Sequence, residues 1–465
     1  MRNAAKVLHF PFAGLSRSLS VRDNTQPSET RTYATPLALN VRGTCVFADR
    51  QRGGSRPGLK RLSGVVSDSS GVWRWPNGGA VEWPDGGNVL FDLPTTRFSG
   101  PDGAPFVNPH QPYAPRASKG SVPAECRAMA FYRYRLFVAS GAQWYASRSG
   151  DLTDWDYGGD MEDLARAATG NVAHAGVEGE TITAMMPVLD SLLYVATARS
   201  LWCLAGEPTN GVLKCVSTNV GCVGPSAWCF DGTRLWLFSA KGVYSLVPGE
   251  GGPVLSSKEV PQLKATDADA LMVPDFAADG VHLFSADGDW FIEEGALWPV
   301  AVPAAMRPVA AAHVIADGEN RTVLLGSDGK WRYFDDSRDD DDSHDEIDGA
   351  EIASCVAIGP FRTSGRDDED GILDTLHVVL AEGSDDVSLE IYPARTAEAA
   401  LAKAEAEPPA PSFAEPAFTA TVGPGFNHTI RPRVRGAWCV IVLRGTGRWA
   451  YETATATCKI LGRLR

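Results

Sequence analysis

A single unit recurs along the middle of the chain and limits the folds open to it. It reads as an apolar strand, a short turn, a second apolar strand, a small or polar turn, and a third strand carrying an aromatic. Copies occupy 128–147, 182–206, 226–249, 272–295 and 310–336. Their central leucines, Leu136, Leu193, Leu235, Leu283 and Leu324, lie 57, 42, 48 and 41 residues apart. A further run follows most copies and can serve as an outer fourth strand: VLKCVSTN, PVLSSKEV and LWPVAV after the second, third and fourth. A repeat of ~40–50 residues built from four short antiparallel strands marks a β-propeller blade. One blade leaves both faces bare. Radial stacking covers them, and ring closure protects the edges. The spacing predicts an all-β chain whose main body, residues 59–360, is a β-propeller of about six blades.

Details within the unit agree. Asp-Gly steps at Asp231–Gly232, Asp279–Gly280, Asp287–Gly288 and Asp328–Gly329 supply the positive φ that tight turns need. Trp144, Trp202, Tyr244, Trp290 and Trp331 fall at one place in the repeat, where they are expected to pack between blades. Residues 59–83 look like a sixth copy with decayed spacing. Residues 351–360 are expected to complete the ring by pairing with an early strand.

The two ends differ from the middle. Residues 1–58 have little periodicity and much Pro, Thr, Ser and Arg, which predicts an extended arm leaning on something larger, such as a neighbouring subunit. Residues 361–465 predict a C-terminal β-sandwich with one short helical insertion. In it, 373–383 and 387–394 are expected to form a hairpin. Thr396 caps an Ala-rich helix, which Pro408–Pro409 stops.

Charge is uneven. The chain carries −14, yet residues 1–66 hold eleven Lys/Arg against three acids, and 424–465 hold eight against one. Acids concentrate in 335–348, DDSRDDDDSHDEID. Basic ends around an acidic middle suit nucleic acid, an acidic neighbouring subunit or plain solvation, and subunit contact is favoured because the basic residues are spaced out and form no dense tract. The candidate contact residues are Arg42, Arg52 and Arg56, with Arg431, Arg433 and Arg435 on one face of an alternating strand. Asp339, Asp340, Asp341 and Asp342 are expected in a solvated loop or along the lining of a channel. No register of that run meets the EF-hand rule of Gly at position six and Glu at position twelve.

Catalytic signatures are sparse. There is no Gly-rich phosphate loop, GxSxG or HExxH, and the eight histidines lack metal-ligand spacing. His282 and His313 sit inside strand patterns as packed or edge residues. The nine cysteines contain no CxxC. Cys203, Cys215, Cys229, Cys355 and Cys439 lie in apolar runs and read as buried thiols of a protein assembled in a reducing compartment. No catalytic residue, cofactor or metal is assigned. The longest uninterrupted apolar stretch, 437–443, is too short to span a bilayer. The N-terminus lacks the apolar core of a signal peptide.

Three steps near the start are distinctive: FPFAG at 10–14, ALNVR at 38–42 and RGGSRPG at 52–58. Together with ASRSGDLTDWDY, AEGSDDV, NHTIRPRVRGAW and GTGRWAYE, they resemble a family of tailed-bacteriophage virion proteins. In architecture the chain is similar to the nozzle or hub proteins of short-tailed phages. SRSGDLTDW also resembles the Asp-box turn of sialidase-like propellers, with Ser149 in place of the Asp. The resemblance implies a structural tail component assembled in the host cytoplasm, not an enzyme. It would form an oligomeric ring, six copies expected, contacting other tail and portal-proximal proteins and letting DNA pass. The alternative is a receptor-binding or tail-fibre adaptor protein.

Overall fold

The most apolar strand of each repeat, its second, lies in the interior of its sheet, because only there are both edges paired and both faces covered. The computed structural model describes residues 3–18, 33–44, 52–61, 126 and 128–463, apart from 152–153, 159–160, 174–178, 266–267, 294, 317–318, 336–339, 342–349, 365–368 and 407–414. Among the described residues the chain opens with five short strands: β1 (Asn3–Leu8), β2 (Ala38–Leu39), β3 (Val41–Arg42), β4 (Gly54–Ser55) and β5 (Gly58–Arg61).

The repeats follow. Sheet one contains β6 (Ala128–Tyr132), β7 (Arg135–Ser140), β8 (Gln143–Ala146) and β9 (Ala168–Asn171). Sheet two contains β10 (Ile182–Val188), β11 (Leu192–Thr197), β12 (Leu201–Ala205) and β13 (Val212–Ser217). Sheet three contains β14 (Trp228–Phe230), β15 (Leu235–Ser239), β16 (Gly242–Leu246) and β17 (Val254–Leu255). Sheet four contains β18 (Leu271–Asp275), β19 (Gly280–Ser285), β20 (Gly288–Glu293) and β21 (Ala296–Val300). Sheet five contains β22 (Pro308–Ala316), β23 (Glu319–Gly326) and β24 (Trp331–Asp335), with β5 of the N-terminal segment as its fourth strand. All are antiparallel. The five leucines named above are at most 2% exposed, each contributing about 1.5–3 kcal/mol by area. The five aromatics sit in the third strands, all buried.

Consecutive sheets pack face to face. Phe137 and Trp144 of sheet one share a core with Val195 and Trp202 of sheet two. Tyr194, Leu237 and Leu283 join sheets two to four, and Val273, Phe284 and Leu324 join four to five. The body is all-β and propeller-like. Of the residues read as a sixth copy, 59–61 belong to β5, and 62–83 lie outside the described residues.

Next come β25 (Asp340–Asp341) and β26 (Ala350–Glu351), which pair together, and then β27 (Ser354–Arg362), β28 (Glu369–Leu380), β29 (Val387–Ala394), α1 (Ala397–Glu405), β30 (Phe418–Val422), β31 (Gly425–Ile430), β32 (Val434–Gly436), β33 (Trp438–Gly445) and β34 (Tyr451–Arg463). Two five-stranded sheets result. One runs β1-β34-β28-β31, with β32 also on β28. The other runs β2-β27-β33-β29-β30. Leu376, Val378 and Ala456 of the first meet Val356, Leu389 and Ile441 of the second. Helix α1 covers the second sheet's other face with Ala397, Ala400, Leu401 and Ala404, the 3–4 spacing of one helix face. Thr396 caps it as expected, accepting from the Ala399 N–H at 3.1 Å.

Three expectations need correction. The described residues among 1–58 lean on their own chain: they supply strands to both sandwich sheets and, at their end, begin the outer strand of sheet five. Residues 351–360 do pair with an early strand, β2, but within the sandwich. The expected hairpin of 373–383 and 387–394 is instead a crossing between sheets, because β28 and β29 take different partners.

Candidate functional site

Segments far apart in sequence converge on Arg56. Asn40 adopts a left-handed backbone (φ 52°), which Asn tolerates better than most side chains. Its Nδ2 donates to the Ala353 carbonyl at 2.8 Å. Its Oδ1 accepts from Arg56 Nε at 3.0 Å and from the Ala301 N–H at 2.7 Å. Arg56 Nη1 donates to the Pro57 carbonyl and to Asp341 Oδ1, both at 2.9 Å. Its Nη2 donates to the Ala301 carbonyl at 2.9 Å and to Asp341 Oδ2 at 2.5 Å. All five guanidinium donors are thereby used, two of them in a bidentate ion pair. Asp341 also accepts the Leu59 N–H at 3.0 Å, which fixes the start of β5.

Arg42 lies beside this joint. Its guanidinium sits 4.1 Å from the Phe291 ring centroid, and Nη2 is 3.4 Å from His282 Nε2. His282 stacks on Phe334, with centroids 4.4 Å apart, and Nε2 meets Asp275 Oδ2 at 3.1 Å. Burial lowers the His282 pKa to about 4, aided by the Arg42 charge and opposed by Asp275. For Asp275, burial pulls upward, but the His282 hydrogen bond and the charges of His282 and Arg42 outweigh it and hold the carboxyl at about 2. A cavity of about 550 Å³ adjoins the pair, lined in part by Arg321, Thr322, Tyr333 and Asp335.

A His–Asp pair acts as a base when its second ring nitrogen faces a nucleophile. Here Nδ1 has no partner among the described residues, and Thr322 Oγ1 donates to the Pro274 carbonyl at 2.6 Å. The pair holds Arg42 and the aromatic stack in place. Among the described residues, no group of three or more His, Cys, Asp or Glu is placed to hold a metal ion.

The arginines expected at a subunit contact divide. Arg42 and Arg56 are buried, so they bind their own chain. The reason is physical: each is ringed by aromatics, carbonyls or a carboxylate of the same molecule. Arg52 pairs with Glu452 at 2.8 Å. Arg431, Arg433 and Arg435 are all exposed, although not on one strand face. The strand breaks after Ile430, and Arg433 is left-handed (φ 51°). Arg435 also meets Asp370 at 2.7 Å. Of the acids, Asp341 is buried against Arg56 and so belongs neither to a solvated loop nor to a channel lining. Asp340 is half-buried and pairs with Glu351 across β25 and β26. Asp339 and Asp342 lie outside the described residues. Cys215, read as buried, is exposed on an outer strand.

The SRSGDLTDW segment is structural. Ser147 Oγ accepts the Leu136 N–H at 3.0 Å, Gly150 takes the left-handed turn (φ 74°), and Trp155 packs on Leu136 and Val138.

Sequence reasoning missed one surface. Sheets one to three bring their first-to-second and third-to-fourth strand turns to one edge. Arg133 N donates to Asp190 Oδ1 at 3.0 Å, Thr209 Oγ1 to the Leu164 carbonyl at 3.1 Å, and Gly249 N to Tyr194 Oη at 2.9 Å. That edge exposes Tyr134 (71%), Met161 (72%) and Leu189 (68%), with Leu164 and Val247. Exposed acids, Glu162, Asp190 and Glu250, are interspersed with them. The only sequence signal was an apolar residue standing inside a turn.

No family model matches the chain, and no curated protein does. Solved structures with some likeness include the extracellular domain of the one component system BT4673 from B. thetaiotaomicron. It is 12% identical with a TM-score of 0.33, over 47% of this chain and 28% of that one. The N-terminal domain of Nup159 is 10% identical with a TM-score of 0.26, over 44% and 74%. PorZ of the type-IX secretion system of Porphyromonas gingivalis is 16% identical with a TM-score of 0.25, over 52% and 30%. The chain thus spans less than a third of the first of these structures. At this level none bears on its function.

Proposed function

We propose that the chain is a structural component of a bacteriophage tail, a nozzle- or hub-like ring subunit that performs no chemistry. In this reading the stacked sheets close into a propeller of about six blades, several copies assemble around the tail axis, and the genome leaves through the bore. One observation carries it. The steps that resemble tail proteins, ALNVR and RGGSRPG, contain Asn40, Arg42 and Arg56, the residues that tie sheets four and five to the sandwich. A body whose early segment is stitched into three sheets is stiff, and stiffness suits a ring that must transmit load without deforming.

The test is light scattering and electron microscopy of the purified full chain, alone and with tail extract. Ring-shaped particles of several copies, six expected, support the proposal. A chain that stays monomeric and does not enlarge with extract sinks it. Single copies projecting from the side of tails favour the fibre-adaptor role instead.

A further inference from the structure

The turn edge of sheets one to three and the Arg431–Arg435 segment are chemically matched. The first offers exposed apolar side chains among carboxylates, with Arg234 exposed on it as well and Arg133 held by Glu207. The second offers three exposed guanidinium groups. Arginine suits such a partner well, because its planar head pairs with carboxylates while its face and stem lie on apolar or aromatic groups. Aromatics, Met and Arg are also the residues enriched at protein interfaces. The two surfaces sit on different parts of one chain, so a contact between them is head-to-tail, and a head-to-tail contact closes into a ring when the rotation permits.

The local structure of the arginine segment fits. Strands β31 and β32 both pair with β28 and form one edge of their sheet. Pro432 and the left-handed Arg433 interrupt that edge, which blocks another strand from adding to it. A partner must therefore be met through side chains. We propose that Arg431, Arg433 and Arg435 of one copy dock on the Tyr134–Leu189–Val247 turn edge of a second copy. This rests on the ring reading above and names the surfaces that would make the ring.

The experiment uses the full chain. Sedimentation measures association of the wild type, of R431E/R433E/R435E and of L189K/V247K, with circular dichroism to verify that each folds. At least tenfold weaker association of either variant is expected. In a separate arm, a benzoylphenylalanine placed at Leu189 is expected to crosslink to peptides from 424–445 of another copy. Variants that assemble like the wild type, or crosslinks only to other segments, overturn this contact while leaving the ring standing. A wild type that is monomeric at low and physiological salt overturns both.

Discussion

Arg56 and Asp341, 285 positions apart, form a two-point ion pair whose side chains are 1% and 2% exposed. Removing one partner strands a buried charge, and such losses cost about 3–5 kcal/mol. Arg56→Met and Asp341→Asn should each lower the unfolding free energy by that order in urea titrations. The double variant Arg56→Met/Asp341→Asn should lose less than the sum of the two singles. Strict additivity would mean that the pair is not coupled.

Asn40 combines a strained backbone with three side-chain hydrogen bonds. Asn40→Ala leaves buried partners unsatisfied and keeps a Cβ at positive φ. Asn40→Gly loses the same bonds but relieves the backbone. The two should differ by about 1–2 kcal/mol, with Gly the more stable. Equal stabilities would show that the left-handed geometry relaxes when the side chain is lost.

Acid should weaken the joint through His282. Its ordinary pKa is 6.5, and in the fold it is about 4. Between those values the unfolded chain binds a proton that the folded chain refuses. The contribution is complete above 6.5 and is lost as pH falls through the folded value, about 3 kcal/mol in all. Asp275 acts in the same direction at lower pH, between 3.8 and about 2. Denaturation midpoints measured from pH 7 to 4 should fall steeply for the wild type and less so for His282→Gln. Parallel slopes would remove His282 as the source.

Thr396→Ala should cost about 1 kcal/mol by uncapping α1, and Thr396→Ser should be nearly neutral. Thermal melts distinguish these outcomes. An equal loss in both would point to packing of the Thr methyl group.

The repeat was legible because strand periodicity is local: Leu136 and Trp144 announce their places through neighbours a few residues away. The termini were not, because pairing across hundreds of residues leaves no local trace. Nothing in NAAKVL says that its partner lies beyond residue 450. The buried arginines misled for a related reason. A guanidinium looks like a surface group until the carboxylate that neutralises it, here Asp341 in an apparently solvated acidic run, is brought alongside. The turn edge escaped notice because single apolar residues in turns become a surface only when successive sheets align them.

Strand β1 pairs with β34, Asn3 opposite Lys459. At a synthesis rate of ~5–20 residues per second, the first strand emerges from the ribosome roughly twenty to ninety seconds before its partner exists. Throughout that interval the nascent chain carries an open, unmated edge, and the sandwich can close only once residues 454–459 have been made.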